Sequence, residues 1–189
     1  EVLRLVKQRA GALGVKTVVV ASTTGDTAVK ATAALEGLRV VVVSHSTGFQ
    51  APDIQEFTEE NRKIVERQGG IILTTTLAFG GYVTFSPMSG VSAELRPKLN
   101  ELQTTLNRNT TGGLIANTLR IFGQGMKVVC EISIMAADSG LVRTDENVIA
   151  IAGTGTGGRG ADTAVVLKPV NSHNFFDLRI REILCKPHF

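Results

Sequence analysis

Five glycines fall within eight positions at Gly153-Thr-Gly155-Thr-Gly157-Gly158-Arg159-Gly160. Glycines so clustered let the backbone take positive φ and turn several N–H groups toward one point without Cβ atoms in the way. A concavity lined by N–H groups suits an anion, phosphate above all. Arg159 is the one cation in the loop that could clamp it. The stretch also contains the spacing G-x-G-x-x-G at Gly153, Gly155 and Gly158. A dinucleotide fingerprint needs that spacing to open a helix after its strand. Here it is followed by Thr163-Ala-Val-Val-Leu-Lys168, which reads as a strand. A nicotinamide dinucleotide site is therefore not expected. A glycine hairpin joining two strands and a backbone cradle for phosphate both stay open.

A second polar loop, Ser22-Thr23-Thr24-Gly25-Asp26-Thr27-Ala28, follows the first apolar run. The hydroxyls of Ser22, Thr24 and Thr27 can donate to a phosphate. A helix opening near Asp26 would aim free N–H groups and its positive pole at the same point. The alternative is a polar helix cap with no ligand. Asp26 fits beside a phosphate only if its carboxylate caps the helix or holds a hydroxyl.

Other groups are more scattered. Glu131 and Asp138, seven apart on one helical face, could do acid–base work, or serve as solvated or capping residues. His45, His173 and His188 lack metal-ligand spacing, and Cys130 and Cys185 are far apart, so no zinc site is expected. There is no G-x-x-x-x-G-K-[ST] and no G-x-S-x-G, which argues against a P-loop nucleotide hydrolase and a serine hydrolase.

These loops need elements to hold them. Residues 1–13 place Val2, Leu5, Val6, Ala10 and Leu13 at helical spacing, and Gly14 supplies a stop. Lys16–Ala21 and Leu38–Val43 are β-branched runs of the kind buried on both faces of a parallel sheet. With the alanine-rich helix from Asp26 to Leu35 between them they form a βαβ unit with a right-handed crossover. The polar loop sits at the carboxyl end of its first strand, where open α/β sheets bind ligands. After a polar loop with His45, Thr47 and Gly48, Asp53-Ile-Gln-Glu56 reads as a capping box starting a helix to Arg67, with Ile54, Phe57, Ile64 and Val65 buried and Glu59 pairing Lys63. Ile71–Thr74 is a third strand. Residues 75–96 read as a lid or a long connection. Helices follow from Pro97, with Leu99, Leu102 and Leu106 on one side, and over 112–122. Residues 126–139 fit both periods and are assigned to a helix on length. Asn147–Ala152, Thr163–Lys168 and Leu178–Lys186 complete the strands.

A chain of 189 residues is one domain, and at this size it buries roughly 70% of its unfolded surface without a metal or disulfide. The net charge of +3 carries no basic block, so nucleic acid is not an expected partner. The two cysteines sit in apolar patterns and read as reduced, buried thiols. No apolar run approaches the ~20 residues that span a bilayer. Together these features predict a cytoplasmic protein with no membrane partner. The chain opens inside a helix, which leaves room for a short N-terminal piece before residue 1.

Val18-Val-Val-Ala-Ser22-Thr-Thr24-Gly25-Asp-Thr27-Ala28 resembles the segment T-x-S-G-x-[ST]-A of the pyruvate kinase C-terminal α/β domain, whose loop holds a phosphate of a sugar bisphosphate. Over nearly its whole length the chain is similar to stand-alone proteins of that domain family. The shared stretches are Val40-Val-Val-Val-Ser-His-Ser-Thr47-Gly48-Phe49, Glu131-Ile-Ser-Ile-Met-Ala-Ala-Asp138-Ser-Gly140, Gly160-Ala-Asp-Thr-Ala164 and Asn174-Phe-Phe-Asp177. The resemblance implies an α/β protein, a three-layer α/β/α fold whose mostly parallel sheet of about five strands has an antiparallel edge strand. It also implies a phosphate-bearing ligand, flavin mononucleotide (FMN) in some members. Ser22, Thr24, Gly25, Thr27 and Ala28 fall on the phosphate motif, and Thr47, Gly48 and the 153–164 loop are placed near it by the fold. Pyruvate kinase activity is not expected of these residues, because its (β/α)₈ barrel needs ~250 residues by itself.

The expected function is a binding domain for a phosphorylated small molecule, FMN or a sugar phosphate, held at the carboxyl ends of the first and fourth strands. The expected binding set is Ser22, Thr23, Thr24, Gly25, Asp26, Thr27, Ala28, His45, Thr47, Gly48, Gly153, Gly155, Gly157, Gly158, Arg159 and Gly160. Two alternatives stand beside it. One is a flavin-dependent oxidoreductase in which His45, Glu131 or Asp138 moves protons. The other is a structural or regulatory domain whose loops are merely turns. A homo-oligomer is left open.

Overall fold

The computed structural model describes residues 1–79, 92–154 and 160–188. Along the chain run α1 (Val2–Leu13), β1 (Thr17–Ala21), α2 (Asp26–Ala34), β2 (Arg39–Ser44), α3 (Glu59–Arg67) and β3 (Ile71–Thr74). They are followed by α4 (Leu95–Arg108), α5 (Thr111–Arg120), α6 (Gln124–Asp138), β4 (Val148–Ala152), β5 (Thr163–Lys168), a 3-10 helix (Ser172–Asp177) and β6 (Arg179–Cys185).

The strands form one sheet in the order β3-β2-β1-β4-β5-β6. Each valine run alternates between two faces. Val19, Val41, Val43, Ala150, Val165 and Leu167 turn toward one apolar cluster with Val129, Ile132 and Met135 of α6. Val18, Val20, Val40, Val42, Ile149 and Ile151 turn toward another with Val6 and Ala10 of α1 and Ala28 and Ala31 of α2. Helices thus cover both faces, giving three layers, α/β/α. Runs with no polar face are what a doubly covered sheet demands, and each valine so buried contributes about 1.5–3 kcal/mol.

Strands β3, β2, β1 and β4 are parallel neighbours. The connection from β4 to β5, residues 153–162, is shorter than the dozen or more residues a parallel crossover needs. It therefore closes a hairpin, with Ala152 opposite Thr163 and Val148 opposite Leu167. The reversed strand is thus β5, one place in from the edge, and β6 forms the edge by antiparallel pairing with it.

Helix α6 settles the segment that fitted both periods. Twelve of its residues, from Gly125 to Ala137, are buried, because the sheet lies on one side and α5 packs against it too. Helix α4 packs on α5, and its Leu95, Leu102 and Leu106 are about half exposed. Among the described residues no helix is long and apolar enough to cross a membrane.

The capping box expected at Asp53 does not form. Asp53 adopts a left-handed φ of 62°, and Ile54, expected in the buried stripe, is exposed. The helix starts instead at Glu59, where the Thr58 side chain accepts from the Asn61 N–H. Phe57 fixes that start by burying itself in the core beside α2. Glu59 and Lys63 do approach one another, at 4.0 Å. Most of the segment read as a lid or connection, residues 80–91, lies outside the described residues.

Candidate functional site

Following β1 the chain moves to β2 on one side, whereas β4 lies on the other. Ligands bind outside the carboxyl ends of an open sheet at such a reversal of strand order. A cleft of about 980 Å³ opens there. Ser22, Thr23, Thr24, Asp26, Thr27, His45, Gly153 and Gly160 of the expected set line it.

The first loop is a backbone cup. Gly25, at φ 101°, is the N-cap of α2 and, having no side chain, offers that helix no cap of its own. The Ala28 N–H is taken by the Ser22 Oγ at 3.2 Å. The N–H groups of Gly25, Asp26 and Thr27 meet no acceptor among the described residues. Free N–H groups at the positive pole of a helix are the elements of an anion site. Ser22 was expected to donate; as an acceptor from Ala28 it shapes the cup, and its own hydroxyl hydrogen stays free for a further partner.

Asp26 does not stand against an anion as its charge suggested. Its carboxylate accepts from the Thr24 hydroxyl at 2.8 Å and from the Asn61 amide at 3.0 Å. These two bonds hold its pKa below the ordinary aspartate value. Any stability they add is present above the ordinary pKa and is lost as pH falls through the lowered one. The cup is braced from α3: the Thr24 carbonyl accepts from Asn61 Nδ2 at 3.0 Å and from the Thr58 N–H at 3.1 Å.

The second loop closes at its base through Asp162. Its N–H donates to the Ala152 carbonyl, and its carboxylate accepts from the Thr154 N–H at 3.0 Å and the Thr163 hydroxyl at 2.7 Å. Gly153 has no room for a Cβ, because the Gly160 carbonyl lies against it. The crowding accounts for Gly153 without any ligand; Gly160 has open space around it and is held instead at a left-handed φ of 68°. Gly155, Gly157, Gly158 and Arg159 lie outside the described residues. Thr47 and Gly48 do not line the cleft. The Thr47 hydroxyl accepts from Gln55 at 3.4 Å, and the Gly48 N–H donates to the Ile54 carbonyl.

Three features of the cleft were not foreseen. His45 Nδ1 donates to Glu56 at 2.7 Å, and its ring lies tilted by 39° against that of Phe49, with centroids 4.2 Å apart. The capping-box expectation puts Glu56 in a helix, whereas in the structure it lies in the loop ahead of α3. Lys127 and Glu131, both on α6, form an ion pair that lines the cleft although their side chains are only 7% and 4% exposed. Phe79 joins them: its N–H donates to Glu131 Oε1 at 3.3 Å, and its ring centroid lies 5.7 Å from Lys127 Nζ. Glu131 is therefore neither a solvated nor a capping residue. Asp138 does cap, accepting from the Ser172 N–H and the Asn171 amide. A sequence signal for the ion pair existed: Lys and Glu stand four apart inside Met126-Lys-Val-Val-Cys-Glu-Ile-Ser-Ile-Met135, an otherwise almost wholly apolar helix.

Burial pushes the Cys130 thiol up to about 12, with the neighbouring Glu131 charge a second cause. It is no nucleophile at neutral pH. Cys185 is half-buried and its pKa is also raised, chiefly by desolvation. Among the described residues no group of histidine, cysteine and carboxylate side chains could hold a metal ion.

A family model described as "Pyruvate kinase, alpha/beta domain" matches residues 1–167. The chain belongs to the pyruvate kinase alpha/beta domain family. The matched length takes in both loops of the cleft and stops within β5. For the family this places the cup, the hairpin and the α6 ion pair inside the shared domain, whereas the 3-10 helix and β6 follow it. A solved structure titled "Crystal structure of O-ureido-L-serine synthase" is 20% identical over 78% of this chain and 49% of its own, with a TM-score of 0.29. The chain thus spans about half of that protein, and a likeness so slight says nothing of chemistry.

Proposed function

We propose that the protein is a cytoplasmic binding domain for a phosphorylated small molecule, FMN or a sugar phosphate, without pyruvate kinase activity in these 189 residues. The observation that supports it best is the start of α2 at the strand-order reversal, where the N–H groups of Gly25, Asp26 and Thr27 meet no acceptor among the described residues and Asp26 and Thr27 line the cleft. Phosphate oxygens accept from such groups and gain from the helix pole. FMN fits the rest of the cleft in kind: Val29, Leu77, Val128, Ile132 and Met135 give apolar wall for a flat ring beyond the phosphate end. When bound, a flavin would supply electron-accepting chemistry, and the cup residues would anchor its phosphate.

A thermal-shift series with FMN, fructose bisphosphate and inorganic phosphate tests this reading. A ligand at 100 times its Kd adds about 2.7 kcal/mol, which for a chain of this size raises Tm by roughly 5–10 °C. Unchanged melting with all three would sink the proposal.

The His45–Glu56 pair favours a second reading, a flavin-dependent oxidoreductase. Glu56 holds the imidazole with Nδ1 as donor, leaving Nε2 for a proton at the cleft. On this reading the FMN-loaded protein bleaches at its visible absorption band when a reduced pyridine nucleotide is added anaerobically. Persistent yellow colour under those conditions would count against it.

A further inference from the structure

The cleft has a second polar pole, at Lys127. An ammonium has three donors. One goes to Glu131, and the Phe79 ring, its centroid 5.7 Å from Nζ, covers another side of the ammonium as a cation–π contact. Among the described residues no further acceptor meets it, which leaves a donor for whatever occupies the cleft that Lys127 lines. Glu131 is engaged at both oxygens, Oε2 by Lys127 and Oε1 by the Phe79 N–H. The pair therefore presents to the cleft a cation with a free donor and a carboxylate already in use. Desolvating an ammonium is costly unless its donors are met. An acceptor oxygen from a ligand meets the last one.

We infer that Lys127 is a specificity-determining residue that selects phosphorylated molecules bearing an anionic or carbonyl oxygen at the end away from the phosphate. The inference rests on the proposed phosphate cup and adds the chemistry of the ligand's other end. A sugar-acid phosphate or a phosphorylated heterocycle with ring carbonyls belongs to this class; a phosphorylated polyol offers only alcohol oxygens, weaker acceptors for an ammonium. The choice lies in acceptor strength, because a bond between the ammonium and a carboxylate is stronger than one from the ammonium to an alcohol.

Two matched pairs of ligands test it by calorimetric titration of the whole chain. One is 6-phosphogluconate against glucitol 6-phosphate, which differ only in a carboxylate for a terminal alcohol. The shorter is 3-phosphoglycerate against glycerol 3-phosphate. The expected result is at least tenfold tighter binding of the acid in one of the pairs. In Lys127→Met/Glu131→Gln that ratio should fall to near one. The double variant removes the ion pair without stranding a charge and keeps an acceptor for the Phe79 N–H. Lys127→Arg/Glu131 intact should keep most of the preference. Equal affinities within both pairs, or a preference that survives the double variant, would overturn the inference while leaving the phosphate cup standing. Failure of all four compounds and of FMN to bind would overturn both.

Discussion

Gly25→Ala should lower the stability of the protein by about 2–5 kcal/mol and remove binding of phosphorylated ligands. Two separate costs combine. The residue sits at φ 101°, and an L residue held in left-handed territory costs roughly 1–2 kcal/mol. The new Cβ would also lie 2.5 Å from Asn61 Cβ and 2.8 Å from Phe57 Cε1, and relieving such overpacking costs about 1–3 kcal/mol. Neither neighbour can yield easily. Phe57 is 3% exposed, and Asn61 holds the Thr24 carbonyl and the Asp26 carboxylate together. Relief by moving α3 would break that brace and turn the free N–H groups away from the cleft. Urea unfolding gives the stability change, and titration with FMN or a sugar phosphate gives the binding change. Parent-like stability in Gly25→Ala would mean that the loop and α3 are not packed as described.

Lys127→Met should destabilise the fold by about 3–5 kcal/mol, because it leaves the Glu131 carboxylate buried without its counter-ion. Lys127→Met/Glu131→Gln should recover most of this, to within about 2 kcal/mol of the parent. It restores no attraction, but it removes the stranded charge and keeps the acceptor for Phe79. The contrast between single and double variants separates a buried ion pair from a surface one, where the single substitution would cost under about 1 kcal/mol. Chemical denaturation of the two variants and the parent, read as midpoints at constant slope, measures it. A single variant as stable as the parent would show that water reaches Glu131 freely.

The layers of the fold were legible in the sequence because they depend on local periodicity. Valine runs such as Val18–Val20 and Val40–Val43 have no polar face, so they require cover on both sides whatever the rest of the chain does. The cup at Ser22–Ala28 was legible for the same reason: a strand, a glycine and a helix start lie within a dozen residues, and backbone chemistry alone makes that corner a source of free N–H groups. Where two local patterns competed, tertiary contact chose. Asp53-x-x-Glu56 and Thr58-x-x-Asn61 are both plausible helix starts. The second prevails because Phe57 must reach the core, which leaves Glu56 in a loop where it finds His45.

What the site is made of beyond the cup was decided only in three dimensions. Asn61 braces Thr24 and Asp26 from residues far along the chain, and an isolated Asn in a polar helix carries no mark of such a task. The glycine loop after β4 gives its position, a hairpin mouth at the cleft, but Gly153 answers to crowding against the Gly160 carbonyl and Gly160 to a left-handed φ. Lys127 and Glu131 were spaced for an ordinary surface pair. Their burial follows from α6 being enclosed between the sheet and α5. Periodicity tells which face of a helix is apolar, but not how many neighbours will cover it. That number follows from the packing of the whole chain, and it turned a common i,i+4 pair into the second pole of the cleft.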